Sequence, residues 1–453
     1  MIKQVAPVIS RVVANDMCVG CGACVAVCST DSLKMQWNED GFLVPMLAGE
    51  CGHDGSCIKV CPFNPEPSDD VRTETEIAAQ FLTDAPYIDK NIGRYFSTYV
   101  GYAEEYRKTS SSGGLATYIA ANLLKSGVVD HVLAVLPGAN DGDHYSYQIA
   151  SSPDDLLSAS RTRYFPVTAD SVLKSLAELK GNVAFVGVAC FVKAVRLAQA
   201  RDPEINAKVR FVIGIICGGL KSAFFTNYLA GLSGTTEVNI RKPQYRIKDE
   251  ARPASDYSFG HVDARTGADK TIRMRLVGDM WGTGLFKANA CDFCDDVTTE
   301  LADISVGDAW LPPYVADGRG TSVIVTRSAE AERLISNGIA TCELSVEKLP
   351  FDRFKQSQQG SFNHRQYGLP VRIAWEKRSG HEVSPKRFDG RVHPEFRFVL
   401  RLRRWVRKKS FSAWRETRNS KEFDRRMASS LWLLRVATRM NQRLRGLRKR
   451  LGG

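Results

Sequence analysis

Short apolar runs alternate with stretches of helical periodicity from about residue 93 onward. The apolar runs predict strands at residues 131–136, 183–188, 209–216, 302–306 and 322–326. The periodic stretches predict helices at residues 114–125, 169–179 and 191–200. Alternation of this kind is typical of α/β units. We therefore expect an α/β fold for this region and an α+β chain overall.

Different patterns flank this region on both sides. Residues 9–66 are rich in cysteine, and the Pro- and acid-rich stretch that starts at residue 65 predicts a linker. Residues 396–406 and 431–447 mix apolar residues with arginine at near-helical spacing. We expect three units: a cysteine-rich domain at residues 9–66, an α/β domain at residues 93–380, and a basic helical arm at residues 381–453.

The cysteine-rich segment contains two related runs. The first consists of Cys18, Cys21, Cys24 and Cys28, and the second of Cys51, Cys57 and Cys61. The first spacing is that of bacterial ferredoxins, in which three thiolates hold one [4Fe–4S] cluster and the fourth reaches the other cluster. This rule predicts one cluster on Cys18, Cys21, Cys24 and Cys61, and a second on Cys51, Cys57 and Cys28. Zinc is the alternative, but zinc ligands usually come as two C-x2-C pairs.

Asp54 stands where the middle cysteine of the second run would be. A carboxylate is a harder ligand than a thiolate and binds iron less firmly. Two interpretations stay open at this point. Asp54 either ligates a labile fourth iron, or it is a polar loop residue beside a [3Fe–4S] cluster.

The net charge of +12 belongs to the C-terminal arm. Residues 381–453 contain 22 Lys and Arg against 6 Asp and Glu, so the rest of the chain is slightly acidic. Such a run is usually a solvated face, so we do not expect nucleic-acid binding. A basic amphipathic arm predicts peripheral contact with an anionic membrane, or packing on the protein's own body.

Cysteine usage and hydropathy bear on the compartment. The twelve cysteines are grouped in pairs and triplets, which predicts metal ligation in a reducing compartment. The N-terminal residues lack the apolar run of a signal peptide, and no stretch reaches the roughly 18 apolar residues of a membrane span. These patterns predict a cytoplasmic protein, with the arm at the inner face of the membrane.

A third group of cysteines is scattered along the α/β region. Cys190 and Cys217 each follow a predicted strand, and Cys291 and Cys294 form a C-x2-C pair. Parallel strands present their carboxyl ends at one edge of a sheet, where the thiols would meet. Four thiolates there would hold a [4Fe–4S] cluster or zinc, whereas the alternative is that Cys190 and Cys217 are small core residues. Cys342 has no partner and is predicted to be core.

Hydroxyls and glycines at residues 109–114 precede the first predicted helix of this region. The free N–H groups and the positive dipole end of a helix N-terminus favour phosphate. The alternative is a well-capped surface helix.

Several of these segments together resemble the family of beta subunits of coenzyme F420 hydrogenases and dehydrogenases. The segments are Ser111-Ser112-Gly113-Gly114, Arg163-Tyr164, residues 186–190, 217–219, 291–294, 300–310 and 320–323. The resemblance spans about residues 10–370 and includes bacterial proteins of surface-polysaccharide gene clusters and chlorophyll-pathway reductases. Ala189 and Thr162 depart from the family pattern, which has proline and serine there.

The resemblance implies a flavoprotein in which FAD lies near a [4Fe–4S] cluster. The implied ligands of this central cluster are Cys190, Cys217, Cys291 and Cys294. The implied cofactor contacts are Ser111, Ser112, Gly113, Gly114, Arg163 and Tyr164.

The implied function is that of an oxidoreductase. Fe–S clusters pass single electrons, and a flavin converts between single electrons and a hydride. Electrons would move between a ferredoxin-like partner and a small organic substrate, which is either coenzyme F420 or a surface-polysaccharide intermediate. The alternative is an electron-transfer subunit that docks on a separate catalytic partner. The sequence identifies no catalytic acid or base.

Overall fold

The computed structural model describes residues 5–138, 143–235 and 239–450. The strands are β1 Leu33–Trp37, β2 Leu43–Leu47, β3 Tyr87–Asp89, β4 Gly93–Tyr95, β5 Ser97–Tyr102, β6 His131–Pro137, β7 Tyr145–Ala150, β8 Val183–Val188, β9 Val209–Ile215, β10 Ile240–Ile247, β11 Ser258–Asp263, β12 Asp269–Arg273, β13 Ile304–Asp308, β14 Ser322–Thr326 and β15 Ser345–Lys348. The helices are α1 Ala23–Ala26, α2 Ser56–Lys59, α3 Glu74–Phe81, α4 Glu104–Arg107, α5 Leu115–Lys125, α6 Pro153–Ala159, α7 Asp170–Lys174, α8 Ala189–Arg201, α9 Pro203–Lys208, α10 Ala223–Leu232, α11 Met274–Val277, α12 Ala329–Ala340, α13 Phe351–Ser357, α14 Gln359–Phe362, α15 Leu369–Arg378, α16 Pro394–Thr417 and α17 Ser420–Arg450. In these described ranges, no helix is long and apolar enough to cross a membrane.

The two cysteine runs fold as two similar turns that each lead into a short helix. Gly22 (φ 80°) precedes α1 and Gly55 (φ 72°) precedes α2, and both take the left-handed conformation that glycine adopts without steric cost. The antiparallel hairpin of β1 and β2, with Leu33 opposite Leu47, lies between them. The sequence repeat is thus also a repeat of local structure.

An eight-stranded mixed sheet has the order β15-β5-β14-β13-β9-β8-β6-β7. The inner strands β6, β8, β9 and β13 run parallel, and the flanking strands pair antiparallel. Helix α8 covers one face with Phe191 and Val195, next to the N-terminal domain. Helices α5 and α12 cover the other face with Ile119 and Ile335. This arrangement confirms the predicted α/β fold.

The predicted strands and helices are present with shifted ends. The strand expected at residues 302–306 is β13, which begins at Ile304. Asp303 lies in the preceding turn, where its carboxylate accepts hydrogen bonds from Arg196 and from the backbone N–H of Val212. The helix expected at residues 169–179 is the short α7 followed by a 3-10 turn, Ser175–Ala177. Propensity and periodicity fix element type better than element ends.

The C-terminal arm is a helical hairpin packed on the body of the protein. Trp414 of α16 and Phe423 of α17 are buried in one apolar cluster with Phe224, Tyr228 and Phe286. Of the two alternatives for the arm, packing on the body is therefore the one that the structure contains.

Residues 66 and 68–70 of the expected linker are exposed. The chain that follows them belongs to the core, because Ile77 of α3 is buried and Glu74 pairs with Lys193 at 3.0 Å. The prediction for Cys342 was wrong. Cys342 is exposed instead of buried. It follows the end of α12 with φ 59°, which places it in a surface turn.

Candidate functional site

The first N-terminal thiol set surrounds a small internal cavity. Cys18, Cys21, Cys24 and Cys61 all line it, together with apolar residues. Burial raises the pKa of Cys18 to about 12 and that of Cys21 to about 11. Such thiols ionise when a metal replaces the proton. The donor set therefore fits a buried iron–sulfur cluster.

The second N-terminal thiol set is more open. Cys57 interacts electrostatically with Cys51 and Cys28, which brings together the three cysteines that the sequence grouped. Burial favours a higher pKa at Cys28, but hydrogen bonds from Ser32 and Thr30 lower the pKa of this thiol below its ordinary value. Cys28 and Cys51 are half-buried, whereas Cys21 and Cys24 of the first set are buried.

Asp54 lies beside the second set in an exposed loop. Its Oδ2 accepts hydrogen bonds from the hydroxyls of Ser56 (2.6 Å) and Ser29 (3.0 Å), and its Oδ1 accepts one from the Ser56 N–H (3.0 Å). These bonds, led by that of the Ser56 side chain, lower the pKa of the carboxyl. These hydrogen bonds hold the carboxylate between Ser29, which follows the first cysteine run, and Ser56, which lies in the second.

The four central cysteines come together at the carboxyl edge of the sheet. The ends of β8 and β9 are neighbours, with Val188 opposite Ile215. Cys190 and Cys217 follow these ends, and the 3-10 turn Asn289–Phe293 brings Cys291 and Cys294 to them. Cys190 interacts electrostatically with the other three, and burial raises its pKa well above the ordinary value.

The central sulfurs receive directed hydrogen bonds. Gly219 N–H donates to Cys217 Sγ at 3.2 Å, and Leu220 N–H donates to Cys291 Sγ at 3.2 Å. Arg365 Nη2 donates to Cys294 Sγ at 2.6 Å. These donors stabilise thiolates in a buried place, as ligands of a metal site require.

Among the residues that the structure describes, no group of three or more His, Cys, Asp or Glu is placed to hold a single metal ion.

The N-terminal and central thiol sets are neighbours. One apolar cluster contains Cys24 and Cys57 and is packed against Cys190 and Cys294. Cys21 of the first set interacts electrostatically with Cys190. Cys24 and Cys61 of the first set also interact electrostatically with Cys57 of the second set, so the first set has neighbours in both of the others.

A cavity of about 1130 Å³ lies at the same edge of the sheet. Its wall includes Cys217 of the central set and the N-terminal residues of α5. The predicted cofactor contacts Ser111, Ser112, Gly114, Arg163 and Tyr164 line it, whereas Gly113 does not. Gly113 lies behind the wall, where its N–H donates to Ser322 Oγ at 3.0 Å.

The serine-rich turn and the Arg-Tyr segment meet in the cavity wall. The Thr162 N–H donates to Ser111 Oγ at 2.9 Å. Ser110 Oγ and Arg163 Nε are buried in this wall, and neither has a hydrogen-bond partner within the described residues. Buried polar atoms usually have partners, so this wall fits a polar cofactor such as a dinucleotide.

Aromatic residues form the other side of the cavity. Tyr164 packs against Trp281 with ring centroids 4.8 Å apart, and Trp281 lies over Gly218. Lys221 lies beside these aromatic rings, and its Nζ donates hydrogen bonds to the Met280 and Leu285 carbonyls. Burial, then the nearby Lys287, lowers the pKa of Lys221 to about 7.

Sequence reasoning missed three cations of this site. Lys221 lines the cavity, Lys248 Nζ holds the serine turn through the Ser112 carbonyl at 3.1 Å, and Arg365 contacts the central thiols. Lys221 follows a Cys-Gly-Gly segment, which was the available signal for it. Lys248 and Arg365 lie in no motif, and only the fold brings them to the site.

Comparisons with known proteins identify the family of the chain. A 4Fe-4S dicluster domain matches residues 17–64, which makes the chain an iron–sulfur protein of the electron-transfer class. Two models of one family, described as the N-terminal and C-terminal parts of the coenzyme F420 hydrogenase/dehydrogenase beta subunit, match residues 98–174 and 180–350. Together they cover more than half of the chain, and the chain belongs to this family.

Individual relatives are distant in sequence. The coenzyme F420 hydrogenase subunit beta of Methanococcus voltae is 24% identical over 59% of this chain and 94% of the relative. A subunit of the F(420)H(2) dehydrogenase of Methanosarcina mazei is 22% identical over 72% of this chain and 83% of the relative. A chain of the F420-reducing [NiFe] hydrogenase complex from Methanosarcina barkeri is 20% identical, with a TM-score of 0.49 over 64% of this chain and 96% of that one.

Proposed function

We propose that this chain is an iron–sulfur flavoprotein oxidoreductase that moves electrons between a ferredoxin-like partner and a small organic substrate. The observation that carries the proposal is the double position of Cys217. It belongs to the central thiol set and also lines the large cavity beside the serine-rich start of α5. One residue thus joins a metal site to a site for an organic cofactor.

The residues that would hold each group follow from the thiol sets. Cys18, Cys21, Cys24 and Cys61 would hold one [4Fe–4S] cluster, and Cys190, Cys217, Cys291 and Cys294 would hold the central one. Cys28, Cys51 and Cys57 would hold the second N-terminal cluster, with Asp54 beside its fourth corner. Bound clusters supply one-electron steps, and bound flavin supplies the exchange between single electrons and a hydride.

The protein's own residues prepare the cavity for FAD. Ser110 and Arg163 offer unpartnered polar atoms, and the N-terminus of α5 offers its dipole, for the phosphate part. Tyr164 and Trp281 offer aromatic faces for the ring part. Lys221, whose pKa is lowered to about 7 by burial, holds an exchangeable proton at the cavity wall.

The substrate proposal rests on the relatives. Both curated relatives above carry coenzyme F420 or its reduced form in their names, so F420 is the first candidate. An intermediate of surface-polysaccharide synthesis is the second candidate substrate. The relatives are also subunits, so a separate electron-transfer or catalytic partner is the alternative to an independent enzyme.

Cofactor analysis of the full chain tests the proposal. Protein purified without oxygen should contain about one FAD and on the order of 11–12 irons, which corresponds to three clusters, the lower figure applying when the corner beside Asp54 is open. Stoichiometric zinc with little iron, or a protein free of flavin after flavin reconstitution, would contradict it. Oxidation of F420H2 by the isolated chain would identify an enzyme with its own substrate, whereas activity only with an added partner would identify a subunit.

We also propose that the outer face of the arm contacts an anionic membrane. Trp432 (62% exposed), Met440 (60%) and Phe398 (51%) remain exposed although the opposite faces of the same helices are buried. Exposed arginines, among them Arg435 and Arg439, alternate with them along the helices. Aromatic and apolar residues interleaved with arginine suit the headgroup region of an anionic bilayer.

A further inference from the structure

Arg365 is a buried arginine with an unusual set of acceptors. It lies in the π-helical turn Asn363–Tyr367, beyond the region that the family models match. Its guanidinium donates to Cys294 Sγ (2.6 Å), to the Cys217 carbonyl (2.6 Å) and to the carbonyls of Cys294 (3.1 Å) and Asp296 (2.5 Å). One side chain therefore joins two of the segments that carry the central cysteines.

Within the described residues, the hydrogen-bond donors that reach the other thiol sets are neutral. Cys18 Sγ receives the N–H of Gly20 at 3.4 Å, and Cys28 Sγ shares hydrogen bonds with the hydroxyls of Ser32 (3.4 Å) and Thr30 (3.7 Å). The central set differs because a full positive charge lies in hydrogen-bond contact with one of its sulfurs. Charged donors make shorter and stronger hydrogen bonds than neutral ones.

Other cations near the central set are directed elsewhere. Lys287 pairs with Asp292 at 2.5 Å, and Arg407 lies 3.6 Å from the same carboxylate. Arg372 donates to the Asp292 carbonyl at 2.7 Å. The carboxylate of Asp292 offsets part of their charge, whereas Arg365 directs its own onto a thiolate ligand.

We propose that Arg365 raises the reduction potential of the central iron–sulfur site above those of the N-terminal sites. The proposal rests on the proposed function, because it requires a cluster on the central cysteines. Reduction adds one electron and no proton, so the site gains one negative charge. A guanidinium at 2.6 Å from a ligand sulfur stabilises that charge in a buried place of low polarity. Arg365 is thus a positioning residue, which acts through Cys294 and favours the reduced state of the central site beside the cavity.

The test is a redox titration of the anaerobic full chain, followed by EPR. Arg365→Gln removes the charge and keeps one donor, and Arg365→Lys keeps the charge without the planar fork. Arg327→Gln is the matched control, because Arg327 is also a buried arginine and donates to the Ile92, Arg94 and Thr298 carbonyls. We expect the central midpoint potential to fall in Arg365→Gln, to fall less in Arg365→Lys, and to stay unchanged in Arg327→Gln. The N-terminal potentials should not move.

Each outcome decides between the ideas. An unchanged central potential in Arg365→Gln with full iron content would overturn the proposal and leave the proposed function intact. If Arg365→Gln loses the central iron, Arg365→Ala becomes the deciding variant, because it also removes the charge and leaves room for water at the sulfur: a lowered central potential supports the proposal, and a wild-type potential refutes it. A wild-type chain without a central cluster signal would overturn both proposals together.

Discussion

The N-terminal and central thiol sets use the same ligand chemistry but are built in different ways. The N-terminal sets come from one short segment, in which Gly22 and Gly55 turn the chain before each short helix. The central set comes from two strand ends and a distant 3-10 turn, and it is enclosed by cations from the C-terminal part of the chain. A local motif encodes the first kind of site, whereas the topology of the sheet and its packing encode the second.

The largest expected effect comes from removing the arm. A chain ending at residue 393 would expose the partners of Trp414, Phe423 and Phe396, each of which is buried. Burial of such a side chain contributes about 1.5–3 kcal/mol, so the combined loss is comparable to the roughly 5–15 kcal/mol stability of a domain. The truncation would also remove Arg403 and Arg407, which contact His364 and Asp292. We expect aggregation or loss of the central iron, measured by solubility and metal analysis.

This expectation differs from that for a detachable arm, whose removal would leave the cofactors in place. A soluble truncated chain with full iron and flavin content would show that the packing seen here contributes little. As a comparison, truncation at residue 441 removes only the end of α17 and should preserve iron content.

A single central ligand gives the next largest effect. Cys291→Ala should remove on the order of four irons and leave the EPR signals of the N-terminal sites in place. Cys342→Ala is the matched control, because Cys342 is exposed and outside all three sets. Loss of all iron in Cys291→Ala would mean that the sets do not form independently.

Substitutions of Asp54 should change the binding of one iron, the fourth iron of the second N-terminal cluster. If Asp54 is a labile ligand, mild oxidation of the wild type should release one iron and give a three-iron EPR signal. If Asp54 is a bystander beside an open corner, that signal should appear without any release of iron. Asp54→Cys should abolish that signal, because a fourth thiolate holds the iron more firmly. Asp54→Ala distinguishes the two roles: a carboxylate that only receives the hydrogen bonds of Ser29 and Ser56 would leave the amount of iron unchanged.

The smallest effect concerns the outer face of the arm. The full chain should sediment with vesicles containing anionic lipid, and binding should weaken as salt rises. Trp432→Ser with Met440→Ser should reduce binding several-fold and leave iron content unchanged, because both side chains are exposed. The exposed Leu157, on α6, gives the control variant Leu157→Ser. Equal binding of all variants, or binding that salt does not change, would exclude this contact.

The sequence by itself determined the parts of the molecule that depend on near neighbours. The spacing of the N-terminal cysteines predicted which thiols belong together, because most ligands of each set lie in one short turn and the ferredoxin rule assigns Cys61 and Cys28 to the opposite set. Apolar runs predicted the inner strands β8 and β9, since strands buried on both faces are continuously apolar. Parallel pairing of these strands then accounts for the meeting of Cys190 and Cys217.

Only the tertiary structure decided what surrounds the central thiols. Arg365 and Lys248 carry no local signal for their places, because contacts between residues distant in sequence depend on how whole elements pack. The same holds for the arm, since a basic amphipathic pattern fits both a membrane and the protein's own body. Its apolar residues Trp414 and Phe423 pack against Tyr228 of α10, and that burial is a property of the folded chain and not of the pattern.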